Sequence, residues 1–142
     1  MDIDEMRQRA EAGSCVNQCG LGLRYLYGID VVVDYVEAFR LLSLAADQGS
    51  SRATLNLAYM HAQGLGIPAD VPKAIRLFEA VGKPSDSSDA FLARIELGRI
   101  YSRGIGIPVD VEKALQWYSA AMDLSSGHDN SEELQEARAY RA

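Results

Sequence analysis

The chain is poor in positive charge and in long apolar runs. Its 142 residues carry 14 lysines and arginines against 20 aspartates and glutamates, which gives a formal net charge of −6. This excess of carboxylates argues against general binding to nucleic acid or to an anionic membrane surface. No stretch approaches the roughly 18 consecutive apolar residues that suggest a membrane span. The sequence therefore predicts no nucleic-acid partner and no membrane partner.

A secretory signal is also missing from the sequence. The N-terminal segment MDIDEMRQRAEAG has acidic residues where a signal peptide carries positive ones, and no apolar run follows it. We therefore predict a cytoplasmic protein. The hydrophobic content of 48% and the charged content of 24% are typical of a globular protein, and the length fits one domain.

Only two cysteines occur, Cys15 and Cys19, and they are four residues apart. This spacing could place two ligands on one helix face, but a zinc site needs two more ligands. Neither His61 nor His128 is near in sequence. Buried, reduced thiols are the favoured interpretation, so we predict neither a metal nor a cofactor.

One short phrase is written twice. GLGIPAD, Gly64 to Asp70, returns as GIGIPVD at Gly104 to Asp110, and a Lys-Ala pair follows each copy. A phosphate-binding loop is one interpretation, because its G-x-x-x-x-G-K-[ST] form is also rich in glycine. Here an aspartate comes three residues before the lysine, and its carboxylate would repel a phosphate. The phrase is better explained as a connector within a repeated unit.

The repeat extends well beyond this phrase. With Gly28, Gly64 and Gly104 aligned, LGLRYLYG, LAYMHAQG and LGRIYSRG stand in register, each with a leucine, then a small residue, then a ring. Agreement at many positions predicts three repeats. The equivalent residues are Leu21, Leu57 and Leu97; Gly22, Ala58 and Gly98; Tyr25, His61 and Tyr101; Asp34, Asp70 and Asp110; and Ala38, Ala74 and Ala114.

Each repeat has the pattern of two helices joined by a tight corner. Ala53, Leu57 and His61 are four residues apart and share one face of a first helix. Gly64 suits the left-handed position just past the end of that helix. Asp70 suits the N-cap of the second helix, where its carboxylate accepts from free backbone N–H groups.

Two places depart from the regular pattern. The first corner, GIDVVVD at Gly28 to Asp34, lacks the second glycine and the proline, which predicts a differently shaped turn that keeps its capping aspartate. The second and third aligned glycines, Gly64 and Gly104, are further apart in sequence than the first and second. The segment GKPSDSSD, Gly82 to Asp89, is rich in turn residues, so we assign the extra length to this loop.

Together these residues resemble the Sel-one-like repeat family, a relative of the tetratricopeptide repeats. The third unit, Ala93 to Ala121, follows the family pattern A-x-x-x-L-G-x-x-Y-x-x-G-x-G-V-x-x-D-x-x-K-A-x-x-W-Y-x-x-A-A nearly throughout. The resemblance extends from about Met6 to Ala121, and its departures include Asn17, Glu37 and His61. It implies an all-α fold, namely a right-handed α-solenoid superhelix of antiparallel helix pairs whose first helices line a concave face.

The expected organisation is a single domain, 1–142, built from these repeats. A polar segment after the third repeat suits a capping helix with Ser131 as its N-cap. The predicted parts are an N-terminal half-repeat helix over 3–13, repeats over about 17–49, 53–82 and 93–124, a loop over 82–89, and a C-terminal capping helix over 131–141.

No convincing catalytic constellation is present. His61 replaces a tyrosine that the repeat places in the core, so a satisfied core histidine is the favoured interpretation. His128 lies in a polar loop and is expected to be solvated. The pair Trp117 and Tyr118 is expected to serve the core, because buried rings of this size usually do so, although a role in partner binding stays open.

Three acidic residues close together, Glu132, Glu133 and Glu136, are a possible metal site. A solvated face at the start of a helix explains them better, because acidic side chains interact favourably with the helix dipole there. The sequence therefore predicts a protein that is not an enzyme, with no catalytic and no metal-binding residue.

By analogy with tetratricopeptide grooves, the residues two, six and ten places after each repeat's opening residue are expected to face the concave side. These residues are Cys19, Leu23 and Tyr27 in the first repeat, Leu55, Tyr59 and Gln63 in the second, and Ile95, Arg99 and Arg103 in the third. Leu23, Tyr27, Tyr59, Gln63, Arg99 and Arg103 are the candidate partner-binding residues. They suit a peptide with an apolar anchor at the tyrosine end and a carboxylate at the arginine end.

The resemblance implies a protein-interaction module or adaptor that binds a partner protein or peptide in its groove. A second hypothesis is an immunity or inhibitor protein, whose acidic surface covers the basic active site of a toxin. An enzyme resting on His61 or on the glycine-rich corners is a remote third. The exposed ends of such a repeat array leave the oligomeric state as monomer or weak homodimer.

Overall fold

The computed structural model describes residues 1–83, 87–123 and 132–141, and over these residues the chain forms α-helices and no strand. The all-α fold class predicted from the sequence is confirmed. The helices are α1 (Ile3–Glu11), α2 (Cys15–Tyr27), α3 (Tyr35–Asp47), α4 (Ser51–Gln63), α5 (Val71–Val81), α6 (Ser88–Arg103), α7 (Val111–Asp123) and α8 (Glu132–Arg141).

The chain divides within α5 into two compact units, Met1–Ala74 and Ile75–Ala142. In the first unit, α1 packs on α2, α2 packs on α3, and α4 packs on α3 while also touching α2. In the second unit, α6 packs on α7, and α8 packs on α7 while also touching α6. Each unit therefore contains a helix pair followed by one further helix in the same kind of contact.

The core of each unit follows the repeated leucines, alanines and rings. In the first unit Ala10, Leu21 and Leu41 form a buried cluster, with Met6 and Tyr25 packed against it. In the second unit a buried cluster joins α6, α7 and α8. Its members are Phe91 and Ile95 of α6, Tyr118 and Ala121 of α7, and Ala137 of α8.

The three corners have one backbone geometry. Each first helix ends on a glycine in the left-handed conformation, and the N–H of the aspartate before the second helix donates to the carbonyl of the ring residue. The glycines are Gly28, Gly64 and Gly104, with φ of 68°, 70° and 65°. The hydrogen bonds run from Asp34 to Tyr25 at 3.0 Å, Asp70 to His61 at 2.8 Å, and Asp110 to Tyr101 at 2.9 Å.

Side chains cap both helices of each repeat. The carboxylates of the three aspartates accept from the backbone N–H three residues later, at 3.1 Å for Asp34, 3.1 Å for Asp70 and 3.0 Å for Asp110, as the sequence predicted. Serines that the repeat alignment left unassigned cap the first helices. Ser14, Ser50 and Ser87 accept from the backbone N–H of Asn17, Ala53 and Ala90. Their signal in the sequence is a serine directly before each apolar helical pattern.

The first corner keeps the common shape, so the prediction of a differently shaped turn is wrong. Asp30 stands where the second repeat has Gly66, and it adopts the same left-handed backbone, with φ of 61° against 72°. Aspartate tolerates this conformation better than most residues. Its carboxylate also accepts from Arg24 Nη1 at 2.8 Å, which holds the turn closed.

The longer interval before the third repeat lies partly in a helix. α6 has 16 residues where α2 and α4 have 13, and Ser87 caps its start. Ser88 and Asp89, which the sequence analysis assigned to a loop, therefore belong to α6. Residues 84–86 of that loop and the predicted cap Ser131 lie outside the described residues. Among the described helices, none combines the length and the apolar character needed to cross a membrane.

Two glycines of α2 are expected to respond in opposite ways to alanine. A Cβ on Gly22 would lie 2.8 Å from Leu42 Cγ and 3.3 Å from Leu41 Cβ, and both leucines are fully buried. A Cβ on Gly20 would meet only the tip of Met6, at 3.8 Å. We expect Gly22→Ala to destabilise by about 1–2 kcal/mol through overpacking. Gly20→Ala is expected to stabilise by about 0.5–1 kcal/mol through helix propensity. Urea unfolding measures both, and effects of the same sign would contradict the packing described here.

Candidate functional site

An aromatic pocket of about 270 Å³ opens on the first unit. The C-terminal end of α2, the first residue of α3 and the last turn of α4 meet there. Its lining, which we call the tyrosine pocket, consists of Leu26, Tyr27, Tyr35, Tyr59, Gln63 and Leu65. The structure thus brings together three residues predicted to bind a partner, namely Tyr27, Tyr59 and Gln63. Tyr35, which begins α3, and Leu65, which lies in the second corner, were not predicted.

Tyr27 forms the exposed wall of the tyrosine pocket. Its side chain is 59% exposed, yet its hydroxyl donates to Asn56 Oδ1 of α4 at 2.9 Å. Asn56 is fixed in turn, since its Nδ2 donates to the Arg52 carbonyl at 2.8 Å. Burial of the hydroxyl end raises the pKa of Tyr27, so the phenol is neutral and acts as a donor. The ring is therefore held in place before anything binds.

The repeat fold does not require tyrosine at these places. The residues equivalent to Tyr27 in the other repeats are Gln63 and Arg103, and those equivalent to Tyr59 are Leu23 and Arg99. Four different residue types thus occupy two positions of one repeated framework. The aromatic character of the tyrosine pocket is a property of this surface and not of the fold.

Leu23 lies in a different pocket of the first unit, of about 430 Å³. This cysteine pocket is lined by Cys15, Val16, Cys19, Gly20, Leu23, Gln48, Gly49, Ser50 and Arg52. Both cysteines are half-buried and form no disulfide, and Cys15 Sγ lies 3.6 Å from the Ala45 carbonyl. The prediction of buried, reduced thiols is therefore wrong in the burial of the two side chains, while both cysteines are free. Within the described ranges, no group of three or more histidine, cysteine or acidic residues could hold a metal ion.

Arg99 and Arg103 of α6 contact a carboxylate of the chain itself. Arg99 Nε and Nη2 lie 2.9 and 2.7 Å from Glu136 Oε2, while Arg103 Nη2 lies 2.9 Å from Glu136 Oε1. The Tyr118 hydroxyl donates to the same Oε1 at 3.1 Å, and Arg99 Nη1 pairs with Glu96 at 2.6 Å. The arginine end predicted to accept a partner's carboxylate already holds one from α8.

The ionisation of Glu136 reflects these contacts. Burial alone would raise its pKa, but the hydrogen bond and the charge of Arg99 outweigh burial, with help from Tyr118 and Arg103, so the pKa is lowered. Glu136 is therefore ionised at neutral pH. The prediction that all three glutamates of this helix form a solvated face is wrong for Glu136, because its side chain is only 24% exposed and is paired with two arginines.

Two predicted groove residues are inaccessible. Leu55 is 2% exposed, because α4 packs on α3 and α2, and Ile95 is fully buried. Ala137 of α8 lies in the same buried cluster as Ile95, so α8 covers this part of α6. The expectation that both side chains line an open groove is therefore wrong. The spacing of the repeat could not show that α8 packs over Ile95.

Of the aromatic pair in α7, Tyr118 is a core residue, as predicted. It is 1% exposed, and its ring centroid lies 5.1 Å from that of Tyr140 in α8. Trp117 is only half-buried. The repeat thus places one ring of the pair inside and leaves the other at the surface. His128 lies outside the described residues.

His61 is buried but not fully satisfied. Its ring meets Phe39 edge to face, with centroids 5.8 Å apart. The Nδ1 atom of His61 is buried and has no hydrogen-bond partner among the described residues. Burial lowers the pKa of His61, the charge of Lys73 lowers it further, and Asp70 opposes the shift. The favoured interpretation of a satisfied histidine is thus wrong at this atom, although the core position is confirmed.

Helix pairs joined by identical corners define a helical repeat protein. The Sel1 repeat model matches residues 18–50, 51–80 and 92–126, and the chain belongs to the Sel1 repeat family. Proteins of this family are typically protein–protein interaction modules and generally non-catalytic scaffolds. The resemblance inferred from the sequence is confirmed.

Part of the chain is similar in sequence to two mammalian proteins. Protein sel-1 homolog 2 of Mus musculus is 36% identical over 74 residues, and its counterpart in Rattus norvegicus matches equally well. That alignment covers 51% of the chain but only 11% of the mouse or rat protein. The chain therefore represents a small part of the length of these relatives.

Two crystal structures share the fold. A Sel1 repeat protein from Oxalobacter formigenes has 28% identity and a TM-score of 0.67, with 97% of this chain and 98% of that one covered. A protective antigen of uropathogenic Escherichia coli, described as displaying an SLR fold, has 27% identity and a TM-score of 0.74. It is matched over 87% of this chain and 26% of its own length. The solenoid class predicted from the sequence is confirmed by these structures.

Replacing His61 with the tyrosine of the other repeats is expected to remove a pH-dependent weakness. Because the folded-state pKa lies below the ordinary 6.5, the unfolded chain binds the proton first as the pH falls. His61 therefore costs stability below about pH 7. We expect His61→Tyr to stabilise by about 1 kcal/mol at pH 7.5, because an unpaired buried polar atom is lost. The gain is expected to grow toward pH 5.

Chemical denaturation of both proteins between pH 5 and 8 measures this effect. His128, the other histidine, is present in both proteins and cancels in the difference. A difference in unfolding free energy that stays constant with pH would show that His61 titrates alike in the folded and unfolded states.

Proposed function

We propose that the protein is a non-catalytic interaction module of the cytoplasm that binds a partner protein or peptide through its tyrosine pocket. The observation that carries this proposal is the convergence of Tyr27, Tyr35 and Tyr59 on one open pocket that the repeat fold does not require. Tyrosine provides a large contact area at low entropic cost and is enriched where proteins bind one another.

The size of the pocket suits a single side chain of a partner as its occupant. Its volume of about 270 Å³ lies near the small end of the roughly 300–1,000 Å³ of small-molecule and cofactor sites. An apolar anchor of a partner would pack against the rings, while the Gln63 amide is suited to hydrogen bonding with the backbone beside the anchor. Leu26 and Leu65 complete an apolar floor.

The candidate residues divide between two tasks in this proposal. Tyr27, Tyr59 and Gln63 bind the partner's anchor. Leu23, in the cysteine pocket, extends the contact along α2 without sharing the tyrosine pocket. Arg99 and Arg103 were expected to bind a carboxylate of the same partner. Both are already paired with Glu136 of the chain itself.

The net charge of −6 favours a second, narrower function. An immunity or inhibitor protein uses an acidic surface to cover a basic active site, and complementary charge accelerates such association. The two functions differ in their effect on the partner. An adaptor leaves the partner's activity intact, whereas an inhibitor abolishes it. The oligomeric state that we propose for either function is a monomer or a weak homodimer.

The tyrosine pocket can be tested by replacing its aromatic walls. We expect Tyr27→Ala combined with Tyr59→Ala to weaken the captured partner's binding at least tenfold, because buried aromatic anchors typically contribute 2 kcal/mol or more. The matched control is Val109→Ala combined with Val111→Ala, which removes two exposed apolar side chains from the third corner, 57% and 56% exposed. Affinity purification followed by titration of the purified partner gives the comparison.

Both double variants must first match the wild type in helicity and melting temperature. Equal partner affinity for the wild type and the tyrosine variant would contradict the proposal. A loss of affinity in the valine control alone would move the binding site to the third corner.

A further inference from the structure

α8 occupies the position of a repeat's first helix without having that sequence. It packs on α7 and also touches α6, as α4 packs on α3 and also touches α2. In both units a polar residue of the later helix reaches the last residue of the earlier first helix. Asn56 of α4 contacts Tyr27, and Glu136 of α8 contacts Arg103, which is equivalent to Tyr27. The surface formed by α6 and α7 therefore packs against a helix that lacks the sequence of a repeat's first helix.

Among the α8 side chains that the structure describes, few are apolar and buried against α6 and α7. Ala137 is the one residue of α8 that is buried among those whose side chains the structure describes, and it packs with Phe91, Ile95 and Tyr118. Tyr140 adds a half-buried ring against Tyr118. These described side chains bury one methyl group and part of one ring, which is a modest hydrophobic contribution.

The polar interactions of α8 with α6 and α7 described here involve the carboxylate of Glu136. Both carboxylate oxygens of Glu136 are bound, one by two nitrogens of Arg99 and the other by Arg103 and the Tyr118 hydroxyl. Two guanidinium groups and a hydroxyl thus form a receptor for a single carboxylate on a helix. Charge-assisted hydrogen bonds of this kind are shorter and about twice as strong as neutral ones.

Such a contact is suited to opening. The Arg103 side chain is 59% exposed, so its ion pair is screened by salt and contributes little. Segments with few buried apolar contacts open locally at much lower free energy than the core. Separation of α8 would uncover Ile95, the residue that its place in the repeat assigns to the groove, together with Arg99 and Arg103.

We propose that the α6–α7 surface is a second interaction surface whose partner is an amphipathic helix bearing a carboxylate next to a small residue, and that α8 is the intramolecular occupant which this helix displaces. The surface consists of Phe91, Ile95, Arg99, Arg103, Tyr118 and Met122. The complementarity of two cations and a hydroxyl to one carboxylate selects an acidic helix. This inference concerns the second unit and does not rest on the tyrosine pocket.

Hydrogen exchange on the full wild-type chain tests whether α8 opens. We expect the amides of α8 to exchange at least tenfold faster than those of α6 and α7, and the difference to widen between 0.05 and 0.5 M NaCl. If α8 exchanges only at the rate of α6 and α7 at both salt concentrations, it leaves the surface only when the unit unfolds. That result would overturn the proposal.

Binding of an acidic helix is tested with a capped, fluorescent peptide of residues 132–141 added to full-length chains. Glu136→Lys in the protein reverses the charge facing Arg99 and Arg103 without altering the α6–α7 surface. We expect this variant to bind the peptide at least tenfold more tightly than the wild type. Glu132→Lys makes the same charge change at an exposed position of α8 and is expected to behave as the wild type.

The peptide itself supplies a further control, because a version with glutamine at position 136 should bind at least tenfold more weakly. Equal binding of the peptide to all three proteins, or binding to none, would overturn the proposal. The exchange rates of α6 and α7 in Glu136→Lys report whether the variant is folded. If it is unfolded, Glu136→Gln replaces it and the same peptide comparison decides.

Discussion

Each repeat depends on one corner, in which the backbone of the first helix is bound to the start of the second. A left-handed glycine ends the first helix, and the aspartate N–H then donates to the carbonyl of a ring residue within that helix. The aspartate carboxylate caps the second helix at the same time. One residue thus satisfies groups of both helices, which fixes the second helix against the first and buries the repeated leucines and alanines between them.

The sequence was most informative where the physical requirement is local. Helix ends, capping aspartates and buried small residues depend on neighbours within a few positions, so their pattern recurs and can be read by alignment. The first corner shows the limit of this approach. Loss of a glycine suggested a new shape, but Asp30 tolerates the left-handed conformation and Arg24 holds its carboxylate.

Contacts between distant segments were not predictable in the same way. Glu136 lies 37 residues from Arg99 in sequence, and nothing in the repeat spacing links them. The packing of α8 through Ala137 likewise explains why Ile95 is buried although its place in the repeat assigns it to the groove. Three residues of the tyrosine pocket, Tyr27, Tyr59 and Gln63, were candidates from the sequence. Tyr35, at the start of α3, and Leu65, in the second corner, were not, because only the folded chain brings them to the same pocket.

The surfaces of the protein arise where the repeats differ from one another. Positions that are alike in all three copies build the corners and the cores, while equivalent positions that differ create an aromatic pocket in the first unit and an arginine pair in the second. In our two proposals these surfaces bind different ligands, an apolar anchor at one and a carboxylate on a helix at the other. A single framework can therefore carry separate interactions along its length.

The most direct test of this account is the stability of three pairs of variants at the corner aspartates, Asp34, Asp70 and Asp110. The common corner predicts that replacement by alanine costs about 1 kcal/mol at each position, whereas replacement by asparagine, which caps helices nearly as well, costs much less. Urea unfolding of the six variants measures these differences. Alanine variants as stable as the wild type, or asparagine variants as unstable as the alanine ones, would contradict the claim that capping at the corner sustains each repeat.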